Sequence, residues 1–231
     1  MDLGLSGRLA LVTGANRGIG LACAERLAAE GCRVHLVART EKKLAAEAER
    51  LAKQHGTEVE FTALDLGAPG SDETLFAAVP SPDVLVNNAG AIPSGGLNEV
   101  DEETWRHAWD LKVFGYINLC RRYLDIMRKR HSGAIINIIG AGGEKPRPGY
   151  IAGAGGNAAL MAVTRALGAT SRRDGVRVVG INPGQTETER MVTMCRKVAE
   201  DRYGDPERWR ETLDPDFPPV RPEHVGDTVA F

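Results

Sequence analysis

Short apolar segments rich in valine, leucine and isoleucine alternate with longer amphipathic segments along most of the chain. "LALVTG" is followed by a helical pattern over residues 18–30, and "RVHLVA" is followed by "EKKLAAEAERLAKQHG". Near-continuous apolar strands separated by helices are typical of a parallel sheet that is covered on both faces. The alternation therefore predicts an α/β fold, with a doubly wound parallel sheet in three layers. The predicted strands lie within residues 8–14, 33–39, 58–64, 83–90, 134–140 and 176–184.

The length and charge of the chain limit the classes of protein to which it can belong. Its 231 residues suit a single domain spanning residues 1–231, because no linker or repeat interrupts the pattern. The formal net charge of −2 provides no basic field, so nucleic acid is not an expected partner. The four cysteines are far apart and lack metal-ligand spacing, which predicts no metal site and favours a reducing cytoplasm. No signal peptide or membrane span is evident, so we expect a cytoplasmic protein without membrane contacts.

A glycine-rich turn, "TGANRGIG" at residues 13–20, follows the first predicted strand and opens the first predicted helix. In this context Gly14 permits a tight turn, Gly18 lets backbone N–H groups approach a pyrophosphate, and Gly20 allows helix and strand to pack closely. The helix N-terminus faces the anion with its partial positive charge. Many strand-to-helix turns contain glycine for structural reasons alone, but in this architecture the motif predicts a dinucleotide site.

The residues after the second predicted strand indicate which dinucleotide is bound. An NAD site places Asp or Glu there to bond the ribose 2′-hydroxyl, whereas this chain has Ala38 followed by Arg39. Arg17 also lies inside the glycine loop. Two guanidinium groups and no carboxylate favour a 2′-phosphate, and therefore NADP(H). The alternative is that both are ordinary surface arginines.

Four motifs occur in order and at ordinary intervals: "TGANRGIG", "LD" at residues 64–65, "NNAG" at 87–90 and "NPG" at 182–184. Together they resemble the short-chain dehydrogenase/reductase family over nearly the whole chain. The resemblance implies a single Rossmann-type domain that binds a nicotinamide cofactor, with a lid or substrate loop at about residues 187–219. It also implies homodimers or homotetramers formed through helices at 104–130 and 152–174. Members of the family continue with a final strand, which we expect to be missing from this chain.

The resemblance also implies which residues bind the cofactor. Asp65 is expected at the adenine, the "NNAG" segment at the adenosine ribose, and "PGQTET" at the nicotinamide end. The expected cofactor-binding residues are Gly14, Asn16, Arg17, Gly18, Ile19, Gly20, Arg39, Asp65, Leu66, Asn87, Asn88, Ala89, Gly90, Lys112, Asn157, Pro183, Gly184, Thr186 and Thr188.

The family's catalytic tetrad of Asn, Ser, Tyr and Lys is not matched at the corresponding positions. "GAIINIIG" places Gly140 where the serine is expected, and "AGAGGNAAL" places Gly153 and Asn157 at the Tyr-x-x-x-Lys pair. Lys112 falls at the position of the asparagine. In the family the tyrosine exchanges a proton with the substrate oxygen, and the lysine lowers its pKa. The resemblance therefore implies an atypical active site in which the tetrad is replaced.

Lys112, Asn157 and Tyr150 are the candidate catalytic residues. The residue types at Lys112 and Asn157 are exchanged relative to the tetrad, so we expect a polar pair near the cofactor ribose. Lys112 lies on a mostly apolar helix stripe, where desolvation would lower its pKa and suit it to be a proton donor or a cationic clamp. Tyr150, three positions before Gly153, can reach the space left there, with Tyr116 as a weaker candidate. The alternative is that Tyr150 is an ordinary loop aromatic.

The sequence leaves two functions open. The first is an NADP(H)-dependent oxidoreductase that transfers hydride between the nicotinamide and a small carbonyl or alcohol substrate, with a proton from Lys112, Tyr150 or water. Loss of a general acid typically costs about 10²–10⁴-fold in rate, so slow catalysis is compatible with this site. The second is a catalytically inactive NADP(H)-binding module that acts as a sensor or assembly partner. Lyase or isomerase chemistry has no positive support.

Overall fold

The computed structural model describes residues 2–231, and within them six strands form one sheet. The strands are β1 (Leu9–Thr13), β2 (Arg33–Ala38), β3 (Val59–Ala63), β4 (Val84–Asn87), β5 (Gly133–Ile138) and β6 (Val176–Ile181). Their order is β3-β2-β1-β4-β5-β6, and every neighbouring pair is parallel. The predicted doubly wound parallel sheet is therefore confirmed.

Helices cover both faces of this sheet. A π-helical segment, Asp110–Phe114, joins the fourth helix to the fifth, and short 3₁₀ helices occur at Ala141–Gly143, Arg172–Asp174 and Pro206–Thr212. Within residues 2–231, no helix is both long enough and apolar enough to span a lipid bilayer. The α-helices are α1 (Gly18–Ala29), α2 (Glu41–His55), α3 (Ser71–Ala78), α4 (Glu102–Trp109), α5 (Gly115–Lys129), α6 (Ile151–Ser171), α7 (Glu189–Tyr203) and α8 (Pro222–Ala230).

Successive strand residues pack on opposite faces of the sheet, as strand geometry requires. In β1, Ala10 and Val12 belong to an apolar cluster with α1, α2 and α8. Leu11, between them, belongs to a second cluster with residues of α3 and α5, such as Leu75 and Tyr123. Because both faces are buried, both sets of positions must be apolar. This is the physical reason for the unbroken hydrophobic runs in the sequence.

The strand order reverses between β1 and β4, which pair in register at Leu11 and Leu85. Connections from β1 leave in one direction across the sheet, and those from β4 leave in the other. The loops that follow these two strands therefore diverge and leave a crevice at the carboxyl edge of the sheet. Open α/β sheets bind their ligands at this kind of switch point.

Candidate active site

Thr13, at the end of β1, ties the glycine loop to the segment that follows β4. Its hydroxyl accepts hydrogen bonds from the N–H groups of Asn88 (2.9 Å) and Ala89 (3.1 Å) and donates one to the carbonyl of Val86 (3.3 Å). The side-chain amide of Asn88 donates two hydrogen bonds in the other direction, to the carbonyls of Thr13 (3.0 Å) and Gly14 (3.3 Å). The side chains of Thr13 and Asn88, of which Asn88 was among the predicted cofactor-binding residues, thus fix the two walls of the crevice relative to each other.

The glycine loop has the shape that close approach of a ligand requires. Gly14 and Gly18 have φ values of +66° and +56°, in the left-handed region where side chains are disfavoured. A Cβ atom on Gly14 would lie 2.8 Å from Nδ2 of Asn88, and one on Gly20 would overlap the carbonyl of Gly14. Gly18 begins α1, so the positive end of that helix opens into the crevice. The loop therefore fits a dinucleotide diphosphate.

The predicted segment at residues 183–188 lies against this loop and against the segment that follows β5. A Cβ atom on Gly18 would lie 3.3 Å from Cγ2 of Thr188, whose hydroxyl caps α7 by accepting from the N–H of Met191 (3.2 Å). The Pro183 carbonyl accepts a bond from the N–H of Ala141 (2.9 Å). The Thr186 hydroxyl bonds the carbonyl of Gly184 (3.3 Å).

Both predicted phosphate-binding arginines are exposed and pair with carboxylates. Nη1 of Arg17 lies 3.2 Å from a carboxylate oxygen of Glu189, at the start of α7. Nη1 of Arg39 lies 4.0 Å from a carboxylate oxygen of Asp65. Exposed pairs of this kind contribute little stability, so either guanidinium can exchange its partner for a phosphate at small cost.

The remaining predicted cofactor residues have more ordinary surroundings. Asn16 lies in the glycine loop, and Ile19 packs partly buried against the core under α1. Leu66 is buried against the other face of the sheet. Asn87 is completely buried, and its amide donates to Oδ1 of Asn137 on β5 (2.8 Å). The Asn87 side chain therefore joins two strands in the interior.

Tyr150 immediately precedes α6, and its ring lies over Gly153. A Cβ atom on Gly153 would overlap this ring, and one on Gly142 would lie 3.4 Å from two of the ring carbons. The loop is anchored by the N–H of Gly95, which donates to the carbonyl of Gly149 (2.7 Å). Burial raises the pKa of the Tyr150 phenol, while the Arg190 guanidinium beside it acts in the opposite direction. The tyrosine thus fills the space above the glycine and is neutral at physiological pH.

Lys112 lies in the π-helical segment and reaches the carboxyl end of β5. Its ammonium donates to the carbonyls of Ile139 (2.8 Å) and Ile138 (3.5 Å). Its methylene groups pack on Gly90, where a Cβ atom would lie 2.8 Å from Cδ of the lysine. Burial, with a smaller contribution from the nearby Arg190 charge, lowers the pKa of Lys112 to about 8. The lysine is therefore a partly buried cation with a pKa close to neutrality.

Asn157 is buried on α6, and its Oδ1 atom has no hydrogen-bond partner within residues 2–231. Its Nδ2 atom lies 3.1 Å from the place where a Cβ atom on Gly140 would stand. Gly140 has a φ of +121°, which a serine would adopt only with strain. Lys112 and Asn157 both approach the segment after β5, but no hydrogen bond joins them within residues 2–231.

Tyr116, the weaker candidate, is buried and supports the site from below. Its hydroxyl donates to the carbonyl of Ile138 (2.9 Å), the same carbonyl that Lys112 approaches. Burial raises its pKa well above the usual value for tyrosine. Because the hydroxyl is engaged inside the protein, Tyr116 holds the strand end rather than facing the crevice.

Arg190, in the first turn of α7, is a site residue that the sequence did not indicate. One of its terminal nitrogens donates to the carbonyl of Gly90 (3.3 Å) and the other to the carbonyl of Ile92. The guanidinium also lies near the Tyr150 phenol, whose pKa it lowers against the larger effect of burial. No motif marks this arginine, because its position depends on how α7 packs against the segment that follows β4. Two cations of the crevice, Lys112 and Arg190, therefore both contact Gly90.

A family model described as short chain dehydrogenase matches residues 8–198 of the chain. This match covers most of the sequence and includes the glycine loop, the "NNAG" segment and the segment after β6. The chain therefore belongs to the short-chain dehydrogenase family.

Individual relatives agree with this assignment. The oxidoreductase YvaG of Bacillus subtilis (strain 168) is 31% identical over 199 residues, which cover 86% of this chain and 75% of the relative. L-sorbose reductase from Gluconobacter frateurii, solved with NADPH and L-sorbose, superposes with a TM-score of 0.90 at 31% identity, covering 100% of this chain and 91% of that one. A variant of actinorhodin polyketide ketoreductase, solved with NADPH, gives a TM-score of 0.88 at 31% identity, covering 97% and 89%.

Proposed function

We propose that the chain is an NADP(H)-dependent oxidoreductase acting on a small carbonyl or alcohol substrate, with an active site in which the family's tetrad is replaced. The observation that carries the proposal is the position of Lys112. Its ammonium is held at the end of β5 beside Gly90, in the crevice that the glycine loop opens, and its pKa is about 8. The relatives solved with NADPH support the choice of cofactor.

The residues of the crevice fit NADP(H). The left-handed glycines and the start of α1 would hold the diphosphate, and Arg17 and Arg39 would bind the 2′-phosphate. The buried Oδ1 atom of Asn157, which has no hydrogen-bond partner within residues 2–231, offers an acceptor for a ribose hydroxyl. When bound, the nicotinamide supplies hydride to a carbonyl carbon or accepts it from an alcohol.

Lys112 is proposed as the group that exchanges a proton with the substrate oxygen. A general acid works best when its pKa is close to the operating pH, and a pKa of about 8 meets this condition. The carbonyls of Ile138 and Ile139 fix the direction of the ammonium. Tyr150, whose pKa burial raises, remains a neutral phenol that can donate a hydrogen bond and orient the substrate.

One observation favours the second candidate, a catalytically inactive NADP(H)-binding module. The Tyr150 ring fills the space at Gly153. A sensor needs a cofactor site but no proton donor directed at a substrate. A tyrosine ring packed over Gly153 is compatible with such a site. The cytoplasmic location and an oligomer built through the helices at 104–130 and 152–174 belong to either function and remain predictions.

The two functions are separated by measuring cofactor binding and turnover on the same protein. NADPH binding is followed by fluorescence and its oxidation by absorbance, with a panel of aldehydes, ketones and oxo acids. For the wild type we expect binding and turnover. We expect Lys112→Met to bind NADPH but to lose about 10²–10⁴-fold in rate. Lys129→Met, which removes an exposed lysine of α5, is the control and should keep wild-type rates. Binding without turnover would favour the inactive module, and absence of binding would overturn both functions.

A further inference from the structure

We infer that Arg190 and Lys112 form a carboxylate-binding site, and that the substrate is a carbonyl compound carrying a carboxylate next to the reacting carbon, a 2-oxo acid or the corresponding hydroxy acid. This inference rests on the proposed oxidoreductase function and names its substrate class. Arg190 would bind the carboxylate, and Lys112 would lie beside the substrate oxygen.

Both cations touch the same glycine. Nη1 of Arg190 donates to the Gly90 carbonyl (3.3 Å), and the methylenes of Lys112 pack on the Gly90 Cα, where a Cβ atom would lie 2.8 Å from Cδ of the lysine. The Arg190 charge contributes to the lowered pKa of Lys112, which shows that the two like charges repel each other in the absence of an anion. An anion bound beside Arg190 and Lys112 would therefore be stabilised by both charges.

No carboxylate within residues 2–231 neutralises these two cations. Within residues 2–231, no carboxylate oxygen lies within 4.0 Å of a charged nitrogen of Arg190 or Lys112. The nearest acidic residue in sequence to Arg190, Glu189, pairs with Arg17. The partners of Arg190 and Lys112 are neutral backbone carbonyls. Such carbonyls hold a cation in place but leave its full charge for a ligand.

Arg190 has the donors that carboxylate binding requires. A guanidinium carries five N–H groups in a planar fork, and here each terminal nitrogen uses one of them on a carbonyl. The side chain is exposed, so the remaining donors are accessible for a bidentate carboxylate. The guanidinium also lies near the phenol of Tyr150, whose ring covers Gly153.

The cofactor diphosphate is the other anion that could use these cations, and the geometry favours the substrate. The proposed diphosphate site is the glycine loop, where Gly14 and Gly18 have left-handed φ values and α1 begins. Arg190 instead contacts the carbonyls of Gly90 and Ile92 after β4 and lies near Tyr150. We therefore assign the carboxylate to the substrate.

The first test is direct binding of oxamate, a 2-oxo acid analogue that is not reduced, measured by calorimetry in the presence of saturating NADP⁺. The wild type should bind it. Arg190→Gln, which keeps donors for the carbonyls but removes the charge, should weaken binding roughly 10-fold to 100-fold, the effect of a lost charge-assisted bond. Lys197→Met removes an exposed charge from the same helix and should bind oxamate like the wild type. Affinity for NADPH should be unchanged in both variants.

The second test compares kcat/KM for phenylglyoxylate and its neutral methyl ester. We expect the wild type to prefer the acid at least about 10-fold, and Arg190→Gln to lose this preference. Equal turnover of acid and ester, absence of oxamate binding, or a loss of NADPH affinity in Arg190→Gln would each overturn the inference. Oxamate binding without any turnover would instead retain the anion site and refute the oxidoreductase function.

Discussion

The ring of Tyr150 occupies the space in which a side chain on Gly153 would begin. Within the turn that opens α6, the two residues form one packing unit: the glycine is required because the tyrosine is there. This relationship explains why a helix tolerates a glycine at a buried position, where it costs roughly 1 kcal/mol relative to alanine. The ring also lies close to Asn157, because a Cβ atom on Gly142 would meet both the Tyr150 ring (3.4 Å) and Nδ2 of Asn157 (3.6 Å).

Gly153→Ala should destabilise the protein by about 1–3 kcal/mol, because the new methyl group forces the Tyr150 ring to move. Chemical denaturation measures this change. Gly155→Ala is the matched control, since its Cβ atom would meet only Trp109, at an ordinary 3.5 Å, and it should raise stability by up to about 1 kcal/mol. Tyr150→Ala in the Gly153→Ala background should remove the clash. An equal loss with and without the Tyr150 ring would show that the two residues are not coupled.

Lys112 should make stability depend on pH in alkaline solution. Its pKa is about 8 in the folded protein and 10.5 in the unfolded chain, so the unfolded chain binds the proton more tightly. The stability of the wild type should therefore rise, relative to Lys112→Met, as pH increases from about 8 to 10.5, by at most about 3 kcal/mol. Urea denaturation of both proteins at pH 7 and pH 10 checks this. A constant difference between them would mean that the lysine titrates normally.

Arg17→Gln combined with Arg39→Gln should weaken NADPH binding by roughly 10-fold to 100-fold and leave NADH binding unchanged, because only NADPH carries the 2′-phosphate. Glu189→Gln should act in the opposite direction, since it frees the Arg17 guanidinium from its partner at 3.2 Å. Fluorescence titration with both nucleotides measures the ratio. Parallel losses for NADPH and NADH would place the arginines away from the 2′-phosphate.

Thr13→Val should destabilise the protein by about 1–3 kcal/mol, because it leaves the N–H groups of Asn88 and Ala89 without their acceptor while keeping the shape of the side chain. Weaker NADPH binding should accompany the loss, since the same bonds fix the segment after β4 against the glycine loop. Denaturation and nucleotide titration check the two effects separately. Wild-type affinity in a destabilised variant would restrict the role of Thr13 to folding.

The strands and helices could be predicted from sequence patterns. The chemistry of the site depends on three-dimensional contacts that no sequence pattern indicates. Apolar runs buried on both faces identify the sheet, and the glycine motif identifies the crevice. The π-helical segment Asp110–Phe114 changes the direction of Lys112, and no residue pattern marks it. Arg190 enters the site only because α7 returns across the crevice to the carbonyls of Gly90 and Ile92. The periodicity of apolar residues predicts which positions are buried. It does not predict where an exposed cation such as Arg190 on α7 will lie.

Transfer of a deuterium label shows whether this crevice performs redox chemistry without the family's tetrad. The protein is incubated with NADPH deuterated at C4 of the nicotinamide and with phenylglyoxylate, and the alcohol is analysed by mass spectrometry. We expect labelled mandelate from the wild type, and about 10²–10⁴-fold slower formation by Lys112→Met. NADPH bound with normal affinity but no labelled alcohol, from phenylglyoxylate or from a wider set of aldehydes and ketones, would contradict this expectation.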